Sequence, residues 1–168
     1  MPNAYLVEGA FHCWNVSDRV GWGCANQRSD VLLVQFWLNC AYTQYGNTDF
    51  GQYLCQVDCT GVVDDFTVTA VQQVQYLNQK NDGRGVVVDG IVSRMRGGST
   101  FYSHTGHGAQ WVIGSLAQLY YGYAFGVPLG TRIQPGDLSN AMDNMWLDPM
   151  IPPELSLACA PQQQNWSA

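Results

Sequence analysis

Two short phrases bent around glycine bracket a stretch of helical period, and this arrangement constrains the chain most. The first is Thr60-Gly61-Val62-Val63-Asp64-Asp65-Phe66-Thr67, and the second is Val88-Asp89-Gly90-Ile91-Val92. Gly61 and Gly90 permit backbone angles that other residues resist. Asp89 can accept hydrogen bonds from backbone amides of its own turn. Between the phrases Ala70, Val71, Val74 and Leu77 recur at helical spacing. A helix is therefore expected from Asp64 or Asp65 to about Lys80, with acid at its positive end, base at its negative end, and Asn81-Asp82-Gly83 as the stop. Val86-Val87-Val88 reads as a short extended piece leading into the second turn.

An earlier amphipathic segment, Asp30-Val31-Leu32-Leu33-Val34-Gln35-Phe36-Trp37-Leu38-Asn39, predicts a first helix capped by Ser29 or Asp30. Residues 1–28 are rich in aromatic, Gly and Asn residues and read as an N-terminal hairpin or cap, with turns at Gly21-Trp22-Gly23 and Asn26. Residues 40–59 form a long link carrying Tyr42, Tyr45 and Tyr53. A further helix is expected from about Gly108 to Phe125, with Val112, Leu116, Leu119 and Tyr123 on one face and Gly126 then Pro128 ending it. A short helix over Asp137 to Trp146 would turn Leu138, Met142 and Met145 inward. After Pro149 the proline-rich tail is expected to run extended to Gln162-Gln163-Gln164-Asn165-Trp166.

A chain of 168 residues with 46% hydrophobic content can build a real core. Its net charge of -6, with Lys80 as its sole lysine, argues against a surface that tracks phosphates, so nucleic acid is not an expected partner. Only 12% of residues are charged, and Asn, Gln, Ser, Thr and Gly carry the polarity. Such surfaces suit sugar contacts and equally suit subunit packing. No run reaches the roughly 20 apolar residues of a membrane span. Met1-Pro2-Asn3-Ala4-Tyr5 lacks the basic start of a secretory leader, which points to synthesis in the cytoplasm. Cys13, Cys24, Cys40, Cys55, Cys59 and Cys159 contain no Cys-x-x-Cys pair and are expected as reduced, mostly buried thiols.

The two phrases and the segment before them resemble the peptidoglycan-binding domain, a small three-helix module. Val31, Gln35, Leu38 and Asn39 match its first helix; Gly61, Thr67, Ala70, Val71 and Gln75 match its central phrase; Asp89, Gly90, Ile91 and Val92 match its second. The resemblance covers about residues 29–95. Departures fall at Thr60, Asp64, Val74, Ser93 and Arg96. It implies a mainly α fold: a core over residues 29–100, preceded by the 1–28 hairpin and followed by a C-terminal helical extension and tail over 101–168. It implies non-catalytic binding of cell-wall glycan or stem peptide, with the groove around the two turns and no cofactor.

A sugar site needs aromatic faces with Asn, Asp or Gln beside them. The candidates are Tyr42 and Tyr45 at the end of the first helix and Asp89 and Arg94 at the second turn, with Arg94 suited to a stem-peptide carboxylate. Trp37 and Tyr53 stand near the same helix end. Without a leader, reaching the wall requires a phage particle, a secretion machine or lysis. A second reading is a homo- or hetero-oligomeric assembly subunit that reuses the fold without glycan affinity. A wall hydrolase is third: Glu8 and Glu154 are its two glutamates, and Glu8, Asp18 and Cys24 loosely echo an acid, carboxylate and hydroxyl spacing. His104 and His107 could be two zinc ligands but lack an evident third. Cys13 beside His12 is a weak thiol-hydrolase pair.

Overall fold

The computed structural model describes residues 3–7, 11–49, 54–82, 87–95, 111–129 and 131–160. Two strands pair antiparallel at the N-terminus, β1 (Asn3–Val7) and β2 (Phe11–Asn15), with Tyr5 opposite Cys13. Five helices follow among the described residues: α1 (Arg28–Tyr45), α2 (Asp65–Asp82), α3 (Val112–Phe125), α4 (Pro135–Asp143) and α5 (Pro153–Cys159). The class is mainly α, and the expected hairpin is present.

Helix α1 is central. Every residue from Val31 to Leu38 is buried, so the helix is covered on all sides rather than along one stripe. Tyr120 of α3 stacks on Trp37 with ring centroids 6.1 Å apart and tilts against Phe36 at 5.7 Å. The Trp37 indole N–H donates to the Met145 sulfur at 3.2 Å, in a short 3-10 turn (Met145–Leu147) after α4. Leu138, Met142 and Met145 are fully buried, as their spacing predicts. One continuous apolar cluster runs through β2, α1, α2, α3, α4 and α5. The C-terminal helices thus share the interior of the central ones.

Side-chain amides hold the non-helical segments onto this frame. Gln35 of α1 is fully buried. Its Oε1 accepts the Gly61 N–H at 2.8 Å, and its Nε2 donates to the Val62 carbonyl at 2.9 Å and the Thr67 hydroxyl at 3.0 Å. Gln75 of α2 repeats the pattern on the second turn. Its Oε1 accepts the Gly90 N–H at 2.8 Å, and its Nε2 donates to the Ile91 carbonyl at 3.0 Å and the Asp89 carboxylate at 2.9 Å. Both glycines are left-handed, at φ +75° and +73°. A Cβ on Gly90 would stand 2.6 Å from a Val68 methyl, so the turn lies directly on α2.

Thr60 and Asp89 hold equivalent places. The Thr60 hydroxyl accepts the Val62 N–H at 3.2 Å, and the Asp89 carboxylate accepts the Ile91 N–H at 2.9 Å. Two asparagines act likewise. Buried Asn15 takes both backbone groups of Met95, at 3.1 and 3.2 Å. Asn26 takes both backbone groups of Gly21, each at 2.8 Å. Val20 and Val92 close a two-bond antiparallel bridge at 3.0 and 2.8 Å, joining the 16–26 segment to the second turn.

Several boundaries differ from expectation. Helix α1 opens at Arg28, and neither Ser29 nor Asp30 caps it. The Asp30 carboxylate instead receives the Ser17 N–H, the Ser17 hydroxyl and the Asp18 N–H at 2.6–3.1 Å, anchoring the loop beside the helix start. Asp64 does cap α2, accepting the Thr67 N–H at 2.8 Å. Helix α3 begins at Val112 after a Trp111 cap position, while residues 101–110 lie outside the described set. It ends at left-handed Gly126, as its sequence predicts. Helix α4 covers 135–143 rather than 137–146.

The tail was expected to run extended, yet it folds into α5. Pro153 stands at the first helical position, where a missing N–H costs nothing, and Leu155 and Cys159 bury against the core. Arg28 clasps Glu154 with its Nε 2.9 Å from both carboxylate oxygens. Residues 161–168, with the Gln-rich end, lie outside the described set.

Replacing Gln35 or Gln75 by Leu keeps side-chain volume but strands buried backbone groups. Each substitution is expected to lower unfolding free energy by about 1–3 kcal/mol, read as a shift in denaturant midpoint. Exposed Gln56→Leu should stay within about 0.5 kcal/mol.

Candidate functional site

The outer face of α2 and the segment 87–94 form the surface best suited to contact a partner. Positions 66, 69, 73 and 76 recur every three or four residues and share one side of the helix. Phe66 is 64% exposed and Tyr76 is 55% exposed. The rings stand ten residues apart, about 15 Å along the axis. Thr69, Gln72, Gln73, Tyr76 and Val88 line a hollow of about 250 Å³ between the helix and the second turn. The Gln73 Oε1 is buried and has no hydrogen-bond partner among the described residues. A buried acceptor without a donor carries a desolvation cost.

Asp89 and Arg94 lie on this same segment, both exposed. Asp89 is largely occupied in holding its own turn through Gln75 and Ile91. Tyr42 and Tyr45 sit elsewhere, in the last turns of α1. Tyr42 is exposed, whereas Tyr45 is buried, its hydroxyl donating to the Val127 carbonyl at 3.2 Å. Gly122 of α3 leaves the room that this hydroxyl takes. The four residues chosen from sequence therefore divide between two places. Trp37 is core, and Tyr53 lies outside the described set. Phe66, Gln73 and Tyr76 were not singled out from sequence, although their helical spacing on one side of α2 was available as a signal.

The candidates for metal binding and catalysis are dispersed among the described residues or lie outside them. No group of three or more His, Cys, Asp and Glu gathers there to hold a metal. Glu8, His104 and His107 lie outside the described set, and Glu154 is paired with Arg28. His12 belongs to β2, and Cys13 is buried with its thiol on the Trp14 carbonyl. Burial pushes the Cys13 and Cys40 thiols well above the ordinary 9.0. Burial raises Cys59 to about 11, helped by the Asp58 carboxylate, and Cys159 to about 12. None of the six cysteines forms a disulfide among the described residues. Thiols held neutral at physiological pH are poor nucleophiles.

No helix among the described residues is long and apolar enough to cross a membrane. No protein-family model, curated protein or solved structure matches this chain.

The raised thiols predict an alkaline instability. A group whose folded pKa exceeds its unfolded value stabilises fully below the unfolded value. That contribution should fade as pH rises from 9.0 through about 11 for Cys59. Thermal midpoints should fall across this window, and Cys159→Ala should flatten the upper part of the decline.

Proposed function

We propose that the chain is a non-catalytic cell-wall binding protein whose central helices form a peptidoglycan-binding-like core. Glycan would lie along the outer face of α2 against the second glycine turn. The observation that carries this reading is the exposed Tyr76 ring beside the hollow that Gln73 helps to line. An aromatic face plus a carboxamide supplies what a sugar ring needs, an apolar platform and a fixed hydrogen-bond partner. Phe66 extends the platform, and Arg94 offers a guanidinium to a stem-peptide carboxylate. Delivery to the wall in a phage particle or by a secretion machine accords with this reading.

The assembly-subunit reading is favoured by Val62, Phe66 and Val87, each more than 60% exposed. Apolar side chains of this kind are commonly covered in assemblies. Light scattering separates the two, since a large particle without glycan affinity would select the subunit.

Purified sacculi should retain the wild-type protein on sedimentation. Gln73→Leu with Tyr76→Ala should reduce retention at least tenfold, while Tyr42→Ala, at the far end of α1, should leave it unchanged. Equal retention of wild type and the double variant would remove the proposed site.

A further inference from the structure

A second hollow, of about 340 Å³, lies where α3 and α4 end. Tyr120 and Phe125 border it from α3, Asn140 and Asn144 from the end of α4, and Leu147 and Asp148 from the turn that follows. No residue of α2 lines it, and all of it falls outside the stretch that carries the sequence resemblance.

The hollow is negative. Helix α3 stops at Phe125 and α4 at Asp143, and neither carries a basic residue in its last turn. The carbonyl ends of helices bear partial negative charge. Asp148, half-buried, adds a full one. Its Oδ1 accepts the Met150 N–H at 2.9 Å and the Tyr123 hydroxyl at 3.4 Å. Its Oδ2 accepts only the Tyr120 hydroxyl, at a long 3.5 Å. A carboxylate offers about four lone-pair sites, shared between its two oxygens, so Oδ2 has capacity left. All three partners are neutral. Burial, with the Asp148 charge beside it, raises the Tyr120 phenol above its ordinary 10.0, so the phenol stays protonated. Among the described residues no Lys, Arg or His borders the hollow, and the Arg28 guanidinium is paired with Glu154.

The walls are aromatic and apolar. Phe125, 40% exposed, packs on Tyr121 with ring centroids 4.9 Å apart, and Leu147 is 60% exposed. A ring face attracts a cation, and exposed leucine can cover an aliphatic stem. We propose that this hollow binds a primary ammonium on a short aliphatic stem, with the nitrogen on the Asp148 Oδ2 and the stem against Phe125 and Leu147. With Oδ1 already occupied, the carboxylate presents one oxygen. That suits the point charge of an ammonium better than the two-pronged guanidinium. The net charge of -6 adds a general attraction for cations. Such a group comes from a free alkylamine or from a lysine side chain. This goes beyond the glycan reading of the outer α2 face and does not depend on it.

The test is a titration of the full chain by amide NMR at constant ionic strength. The probes are butylammonium, Nα-acetyl-lysine amide, butylguanidinium, 1-butanol and butyrate. At least one of the two ammonium probes should give saturable shifts at Phe125, Asn144, Leu147 and Asp148. The tighter of them identifies whether the ammonium arrives free or on a polypeptide. Butylguanidinium should bind more weakly than butylammonium, and butanol and butyrate should not saturate. Asp148→Asn keeps the side-chain volume and an oxygen for the Met150 N–H. It should weaken ammonium binding about tenfold with the melting temperature retained. Phe125→Leu, at an exposed position, should weaken it about threefold. Gln73→Leu with Tyr76→Ala should leave these titrations unchanged, which separates this site from the sacculus-binding face. Absence of saturation with both ammonium probes, equal binding of butanol, tighter binding of butylguanidinium, or full affinity in both Asp148→Asn and Phe125→Leu overturns the proposal.

Discussion

Buried carboxamides gripping turn backbone are the interaction on which the rest of this fold depends. Gln35 and Gln75 each satisfy the N–H and C=O groups of a glycine turn that has no strand partner. A sheet would normally satisfy such groups, but among the described residues only β1 and β2 form one. A side-chain amide presents donor and acceptor at the spacing of a peptide group, so one residue can stand in for a neighbouring strand. Its neutrality matters as much as its geometry. Gln35 is fully buried, and a charged side chain there would meet a large desolvation penalty. The low charged fraction of this chain and its wealth of Asn and Gln belong to one solution.

The clamps also explain why the two turns read alike. Each needs a left-handed glycine to point its N–H at the glutamine, and each needs an oxygen-bearing residue before that glycine. Thr60 and Asp89 serve that purpose with different chemistry but the same bond to the residue two positions on. Threonine at position 60 thus serves the first turn as aspartate at position 89 serves the second. The Asp64 departure has its own use, since its carboxylate starts α2 through Thr67.

Much of this was legible because it is local. Helical spacing in α2, the glycine stop of α3 and the inward Leu138, Met142 and Met145 all follow from short-range pattern. The missed parts are long-range or depend on exposure. Asp30 read as a cap of its own helix, but its carboxylate serves Ser17 and Asp18 instead. The proline run read as extended, because Pro153 stops a helix in general but begins one when it occupies the first turn. Tyr45 and Tyr42 read as equivalent rings at one helix end, yet only packing against Gly122 and Val127 decides that Tyr45 is buried. Phe66 and Tyr76 read as ordinary members of a helix, and only the folded chain shows them exposed.

The residues that carry the sequence resemblance are mostly those that build the frame: Gln35, Gly61, Thr67, Ala70, Val71, Gln75 and Gly90 are all buried. Frame residues constrain backbone shape and say little about what the surface recognises. Side chains outside the frame can vary without disturbing a clamp. Gln73 illustrates the division. It stands two residues before Gln75 on the same helix, with the same functional group. Gln75 has its carboxamide filled by turn backbone, whereas Gln73 holds an acceptor with nothing opposite it. Rotation of about 200° around the helix separates the amide that holds the turn from one that does not. A substitution at position 73 therefore leaves the clamp at position 75 in place.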